Sequence, residues 1–227
     1  MTDEKRGKPI HRIYEERTIY KKEYMTIYDP EKPLSKPSLL LHSCCGPCST
    51  AVVERLVEDY EVTIFFYNPN ITDEEEYERR REAQKSFVRQ FNGDPAYPYK
   101  IGYLEGPYNK EKFYRVAEKL GDQPEGCRRC ENCFWLRLEE TAQTASMNKY
   151  DLFATTLTVS PHKDYKVISA IGGKLAAIYN VGFLDFDFKK KAGFQRSIQL
   201  SKKYDLYRQN YCGCEYSVPQ KREEEKE

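Results

Sequence analysis

The eight cysteines of the 227-residue chain fall into three groups. Cys44, Cys45 and Cys48 lie in "LLLHSCCGPCS", Cys127, Cys130 and Cys133 in "CRRCENC", and Cys212 and Cys214 in "YCGC". Thiols at such spacings either ligate metal or exchange electrons. Cys45-Gly-Pro-Cys48 has the C-x-x-C spacing of a redox dithiol that opens a helix, whose N-terminus favours thiolate. A dithiol alone leaves Cys44 and five distant thiols without a task. Cys127, Cys130 and Cys133 form C-x-x-C-x-x-C, which fits a structural zinc knuckle and an iron–sulfur ligand run equally well, so spacing leaves both open. A structural zinc site closes at four ligands, so eight thiols exceed the need of one ion. Cys212-Gly-Cys214 is tight enough either to chelate one metal or to close a strained, easily reduced disulfide.

Composition bears on which chemistry survives. Hydrophobic residues make up 39% and charged residues 32% of the chain, and the net charge is +1. No apolar run is long enough to span a bilayer, and "MTDEKRGKPIHRIYEERTIYKKEY" holds no apolar core of a secretory signal. The expectation is a cytoplasmic protein that needs no membrane, in which clustered thiols ligate metal or do redox work. The balanced charge hides one basic segment: residues 188–211 carry seven Lys or Arg against one Asp, interleaved with aromatic residues.

These residues need a scaffold. "SLLLHS", "EVTIFFYNPNI", "YPYKIGYLEG" and "DLFATTLTVSP" read as buried parallel strands. "CSTAVVERLVEDY", "TDEEEYERRREAQKSFVRQFN", "NKEKFYRVAEKLG" and "KDYKVISAIGGKLAAIYN" read as helices, and "CRRCENCFWLRLEETAQTASMNK" as a cysteine loop running into a helix. "IGGK" is a turn or a helix-packing spot, and the chain after it reads as loop-rich. The alternation specifies an α/β fold, a parallel sheet with helices on both faces. Sites in such sheets form where loops leave the carboxyl ends of strands, which is where the first cysteine group and "TVSPHK" fall. Residues 1–37 read as an N-terminal extension and linker, 38–217 as the catalytic domain, and 218–227 as a disordered charged tail.

Six stretches in order, "LLLHSCCGPCS", "FFYNPNI", "EEYERRREA", "EGCRRCENCFWLRLEETA", "FATTLTVSPHKD" and "FKKKAGFQRSIQLSKKYDLYRQNYCGC", resemble the QueH family of epoxyqueuosine reductases over residues 38–217. The resemblance implies an adenine-nucleotide-hydrolase-like (HUP-like) α/β fold with a cysteine-rich C-terminal region. It implies the last step of queuosine biosynthesis: reduction of epoxyqueuosine to queuosine at the wobble position of tRNA with GUN anticodons, served by an unidentified electron donor. The implied cofactors are a 4Fe-4S cluster and an adjacent second iron or other divalent metal. Carried over residue by residue, the cluster ligands are Cys44, Cys45, Cys130 and Cys133. Cys48 falls to the second metal, and Cys212 and Cys214 to a redox-active pair or that second site. Cys127 has no counterpart in the pattern and is an alternative ligand to Cys44.

Proton delivery falls to His162 and Asp164, beyond a strand end, with His42 either a third candidate or a packed imidazole. Tyr67 and Asn68 are candidates to touch the modified base. Lys189, Lys190, Lys191, Arg196, Lys202, Lys203 and Arg208 are candidates for tRNA phosphates, and Phe188, Phe194, Tyr204 and Tyr207 for stacking on splayed bases. The competing function is a zinc-binding RNA-binding module without redox activity.

Overall fold

The computed structural model describes residues 36–121 and 123–217. The expected extension and tail lie outside them, apart from the linker's last two residues. Five strands form one sheet: β1 (Ser38–Ser43), β2 (Glu61–Phe66), β3 (Gly102–Glu105), β4 (Leu152–Thr155) and β5 (Gly182–Phe183). Their order is β3-β2-β1-β4-β5, and every pairing is parallel. This is the 3-2-1-4-5 order of doubly wound α/β sheets, in which the strand order reverses beside the first strand.

Side-chain alternation along the strands builds two cores. Leu39 and Leu41 of β1 join Val62 and Ile64 of β2 and Ala154 of β4 on one face. Leu40, Phe65 and Phe153 point to the other. Helices α1 (Gly46–Leu56), α2 (Glu74–Gly93) and α6 (Gly193–Lys203) cover the first face with Val52, Phe87 and Leu200. Helices α4 (Arg128–Met147) and α5 (Tyr165–Tyr179) cover the second with Leu138 and Leu175. Helix α3 (Lys110–Ala117) lays Phe113 and Ala117 against Cys133 and Cys214 in a small satellite cluster.

Two sequence expectations shift, and the structure decides between the two readings of "IGGK". Cys130 and Cys133 lie in the opening turns of α4, not in a loop, with Cys127 at its N-cap. The basic segment contains a full helix, α6, where loop was expected; its apolar positions are sparse, and burial against α1 stabilises it. "IGGK" is helical within α5, and a Cβ on Gly172 would lie 2.3 Å from the Phe183 ring, so glycine there permits helix–sheet packing. No helix among the described residues is long and apolar enough to cross a membrane.

Candidate active site

The first thiol group sits where β1 ends and α1 begins. Cys45 is the N-cap of α1, and its side chain caps nothing. The thiol sulfurs of Cys44, Cys45 and Cys48 lie within 4.8 Å of one another. A tetrahedral ion with metal–sulfur bonds of about 2.3 Å needs sulfurs roughly 3.8 Å apart, so the trio is close to the spacing of a metal half-shell. The Cys44 thiol is held well below its usual range by its hydrogen bonds with Cys45 and Cys48, with Lys163 and Arg137 adding positive charge. Cys45 is pushed up to about 12, chiefly by its hydrogen bond with Cys44. Cys48 is raised for the same reason. A metal bound by the trio would displace the protons the thiols carry.

The second and third groups line a cleft at the same edge, with Cys130, Cys133, Cys212 and Cys214 in its wall. Burial raises all three thiols resolved there, Cys133 to about 12, Cys214 to about 11, and Cys130 in the same direction. Among the described residues only the first trio has its sulfurs at metal-binding distance of one another; shared neighbours link the groups. Cys44 and Cys130 both pack on the apolar cluster of Phe134 and Tyr67. Cys133 and Cys214 share the Phe113 cluster. Gln209, just before the third group, donates from Nε2 to Cys45 Sγ at 2.9 Å. All eight cysteines are free thiols. Cys127 is the one exposed cysteine of the eight, which argues against it as a ligand.

Two cations stand between the groups. Arg137 is 1% exposed. Lys163 is half-buried, with burial opposing and Cys212 and Cys44 raising its pKa to about 12. Neither has a carboxylate within ion-pairing distance among the described residues; the groups facing both are thiols. A buried cation without a carboxylate needs another anion, since desolvation costs several kcal/mol per ion. A sulfur-ligated metal centre, whose thiolates carry net negative charge, satisfies that requirement.

Sequence reasoning missed the residues that fix the third group. Arg80 and Glu76 read as members of a solvated charged helix. They are 1% and 5% exposed. Arg80 Nε pairs with Glu76 Oε1 at 2.7 Å, while Nη1 and Nη2 donate to the carbonyls of Cys212 and Tyr211 at 3.0 and 3.1 Å. Gly213 adopts φ +114°, and a Cβ there would meet Arg80 Nη1 and Ile71 at 3.0 Å, so glycine lets the C-x-C loop lie on the guanidinium. Arg129 holds the approach to the second group, donating to the carbonyls of Leu120, Gly121 and Gln123. The sequence signals for Arg80 were its place in "EEYERRREA", one of the stretches carrying the resemblance, and the i,i+4 Glu–Arg spacing, which solvated helices share; neither says that it is buried.

The other expected site residues divide. His42 is fully buried; Nε2 faces the Tyr67 carbonyl at 3.1 Å and Nδ1 the Thr155 hydroxyl at 3.0 Å. Burial, then the Arg137 charge, lowers its pKa to about 3, so it is a neutral brace between strands rather than a proton donor. Tyr67 and Asn68 are buried, and Asn68 Nδ2 donates to the Ser43 carbonyl at 2.9 Å, which removes both from direct reach of a docked base. His162 and Asp164 stand at the cleft wall, both exposed. Asp164 Oδ1 accepts from the Lys166 N–H at 2.7 Å as the N-cap of α5. If capping is its task, Asp164→Asn keeps both stability and turnover, because Asn caps as well as Asp. Asp164→Ala then loses about 1 kcal/mol of stability by thermal unfolding. An Asn variant that folds but is inactive would restore the acid role.

Several expected tRNA contacts have partners within the protein. Arg196 makes a two-pronged ion pair with Glu54 at 2.7 and 2.8 Å. Lys203 pairs with Asp94 at 2.5 Å. Lys189 Nζ donates to the Lys163 carbonyl at 2.7 Å, and the Tyr207 hydroxyl to Glu76 Oε2 at 2.7 Å. Phe188 and Tyr204 are core residues and do not stack on bases. Lys190, Lys191 and Lys202 are exposed, and Arg208 lies over the Phe194 ring at 5.3 Å.

Together these features define a doubly wound α/β protein with a thiol-lined, cation-buffered cleft at the carboxyl edge of its sheet. The family model described as "Epoxyqueuosine reductase QueH" matches residues 39–220, and the chain belongs to the QueH family. Proteins named epoxyqueuosine reductase QueH from Staphylococcus epidermidis and Streptococcus pyogenes are 41% and 40% identical, over 83% of this chain and 79% and 73% of theirs. One from Thermotoga maritima is 38% identical over 84% of this chain and 95% of its own. A solved structure from Methanocaldococcus jannaschii, described as a predicted subunit of tRNA methyltransferase, superposes with a TM-score of 0.43 at 13% identity, covering 72% of this chain and 74% of that one.

Proposed function

We propose that the chain reduces epoxyqueuosine to queuosine at the wobble position of tRNA, in the cytoplasm. The observation that carries this reading is the meeting of three thiol groups around two carboxylate-free cations, in a member of this family. Cys44 and Cys45 with Cys130 and Cys133 are the proposed ligands of a 4Fe-4S cluster, and Cys48, beside the first two, is the proposed ligand of an adjacent iron or other divalent metal. Bound there, the metals would pass electrons singly and polarise the epoxide oxygen as a Lewis acid.

The remaining work falls to the chain. Opening an epoxide to an alkene and water consumes two electrons and two protons. Closing Cys212 and Cys214 to a disulfide releases two electrons and two protons, and an external donor would restore the thiols. The Arg80 anchor and Gly213 hold that pair against the cleft wall. Lys163 faces Cys212, Cys44 and Cys48 and supplies positive charge where the epoxide oxygen would gain negative charge.

Lys190 and Lys191, on the loop before α6, are the proposed phosphate contacts. Replacing both by Ala is expected to weaken tRNA binding. It should also flatten the salt dependence of log K by about 0.7–0.9 per lost contact. Binding measured across a salt series checks this, and an unchanged slope would count against the loop.

The test of the function is an anaerobic assay of iron- and sulfide-reconstituted protein with epoxyqueuosine-bearing tRNA and a low-potential reductant, read by nucleoside mass spectrometry. Queuosine is the expected product. Unchanged substrate with tRNA bound and only zinc present would favour the RNA-binding module.

A further inference from the structure

Arg137 is among the largest fully buried side chains of the protein. It reaches the thiols from the fourth residue after Cys133, one helical turn along α4. Its Nε donates to the Cys133 carbonyl at 3.2 Å. The guanidinium carbon lies 5.7 Å from the Phe134 ring centre. The Nη2 group is buried and has no hydrogen-bond partner. An orphaned N–H on a buried cation forfeits several kcal/mol unless something accepts from it. Arg137 lines the thiol cleft, and the groups its charge faces are Cys133, Cys212, Cys44 and Cys130. Those thiols come from all three segments, and no carboxylate competes for the guanidinium among the described residues. His42, buried at the end of β1, is neutral, and Lys163 is a second cation facing Cys212 and Cys44.

We propose that Arg137 is a positioning residue that donates a hydrogen bond from its free Nη2 to a sulfur of the iron–sulfur centre and sets that centre's reduction potential. The proposal rests on the iron–sulfur reading above. One-electron reduction adds one negative charge to the centre and breaks no bond. A fixed guanidinium in a dry site favours the more negative state, and a hydrogen bond to sulfur acts in the same direction. Lysine at this position keeps the charge but loses the planar fork.

The test is a redox titration of anaerobically reconstituted protein with dithionite, followed by electron paramagnetic resonance of the reduced cluster. Arg137→Met is expected to lower the equilibrium constant for reduction at least tenfold, equivalent to about 59 mV more negative for a one-electron couple. Arg137→Lys should fall between it and the unaltered chain. A second measurement does not depend on a variant assembling. The unaltered chain grown with nitrogen-15 arginine should show a nitrogen coupling to the reduced cluster by pulsed resonance, retained in Arg129→Lys. Equal potentials in the unaltered chain and Arg137→Met, or no arginine nitrogen coupling, overturn the proposal while leaving the cluster in place. A reconstituted unaltered chain without any reducible cluster overturns both this proposal and the reading beneath it.

Discussion

Cys44→Ser, reconstituted anaerobically with iron and sulfide, is expected to lack the visible absorption of the unaltered protein and to lose more than about 100-fold in turnover. The bound is set by outer-shell residues of metal sites, whose loss alone costs about 10–100-fold; a ligand should cost more. Cys44 is singled out by its surroundings. It alone of the trio has its thiol pKa lowered, by its hydrogen bonds with Cys45 and Cys48. It faces Lys163 and Arg137, and it packs on the apolar cluster that Cys130 also touches. Serine removes a soft ligand and leaves a hydroxyl that does not ionise at neutral pH. Cys127→Ser is the matched control: Cys127 is the one exposed cysteine of the eight. It should retain colour and turnover. Equal loss in the two variants would mean that general thiol depletion, not the site, governs assembly.

Arg80→Met carries the largest expected stability effect. The substitution removes one partner of a buried ion pair and leaves Glu76 charged at 5% exposure. Such a break costs about 3–5 kcal/mol, a large share of the roughly 5–15 kcal/mol that holds a domain together. For a chain of this size the melting temperature should fall by about 6–20 °C. Glu76→Leu in the same chain removes the stranded carboxylate and should recover much of that loss. Turnover should not recover, because the carbonyls of Cys212 and Tyr211 still lack their donors. Thermal unfolding and turnover of the single and double variants separate the two roles. A double variant that regains both would make Arg80 a fold-stabilising residue and nothing more.

Much of this was legible in the sequence for identifiable reasons. β1 shows as an apolar run because a central parallel strand is buried on both faces, and the first thiol group follows from its position at the strand's carboxyl end. The basic segment shows why charge counting stops short. Its sequence reveals that Arg196, Lys203 and Lys189 are cations. That Glu54, Asp94 and the Lys163 carbonyl engage them is decided by residues between 26 and 142 positions away. The same limit hid Arg80 and Arg137. An arginine in a charged helix and one beside thiols look alike until the fold places their neighbours. α6 was missed because its pairing with α1 is tertiary, and its own pattern is mostly polar.

The central claim is that the first two thiol groups jointly hold one sulfur-bridged iron centre, with the Cys212–Cys214 pair beside it. Iron, zinc and acid-labile sulfide analysis of anaerobically purified protein tests it most directly. At least about four irons per chain with matching sulfide is the result expected of a 4Fe-4S site. One zinc per chain with no sulfide, from protein that stays colourless after reconstitution with iron and sulfide, would contradict it.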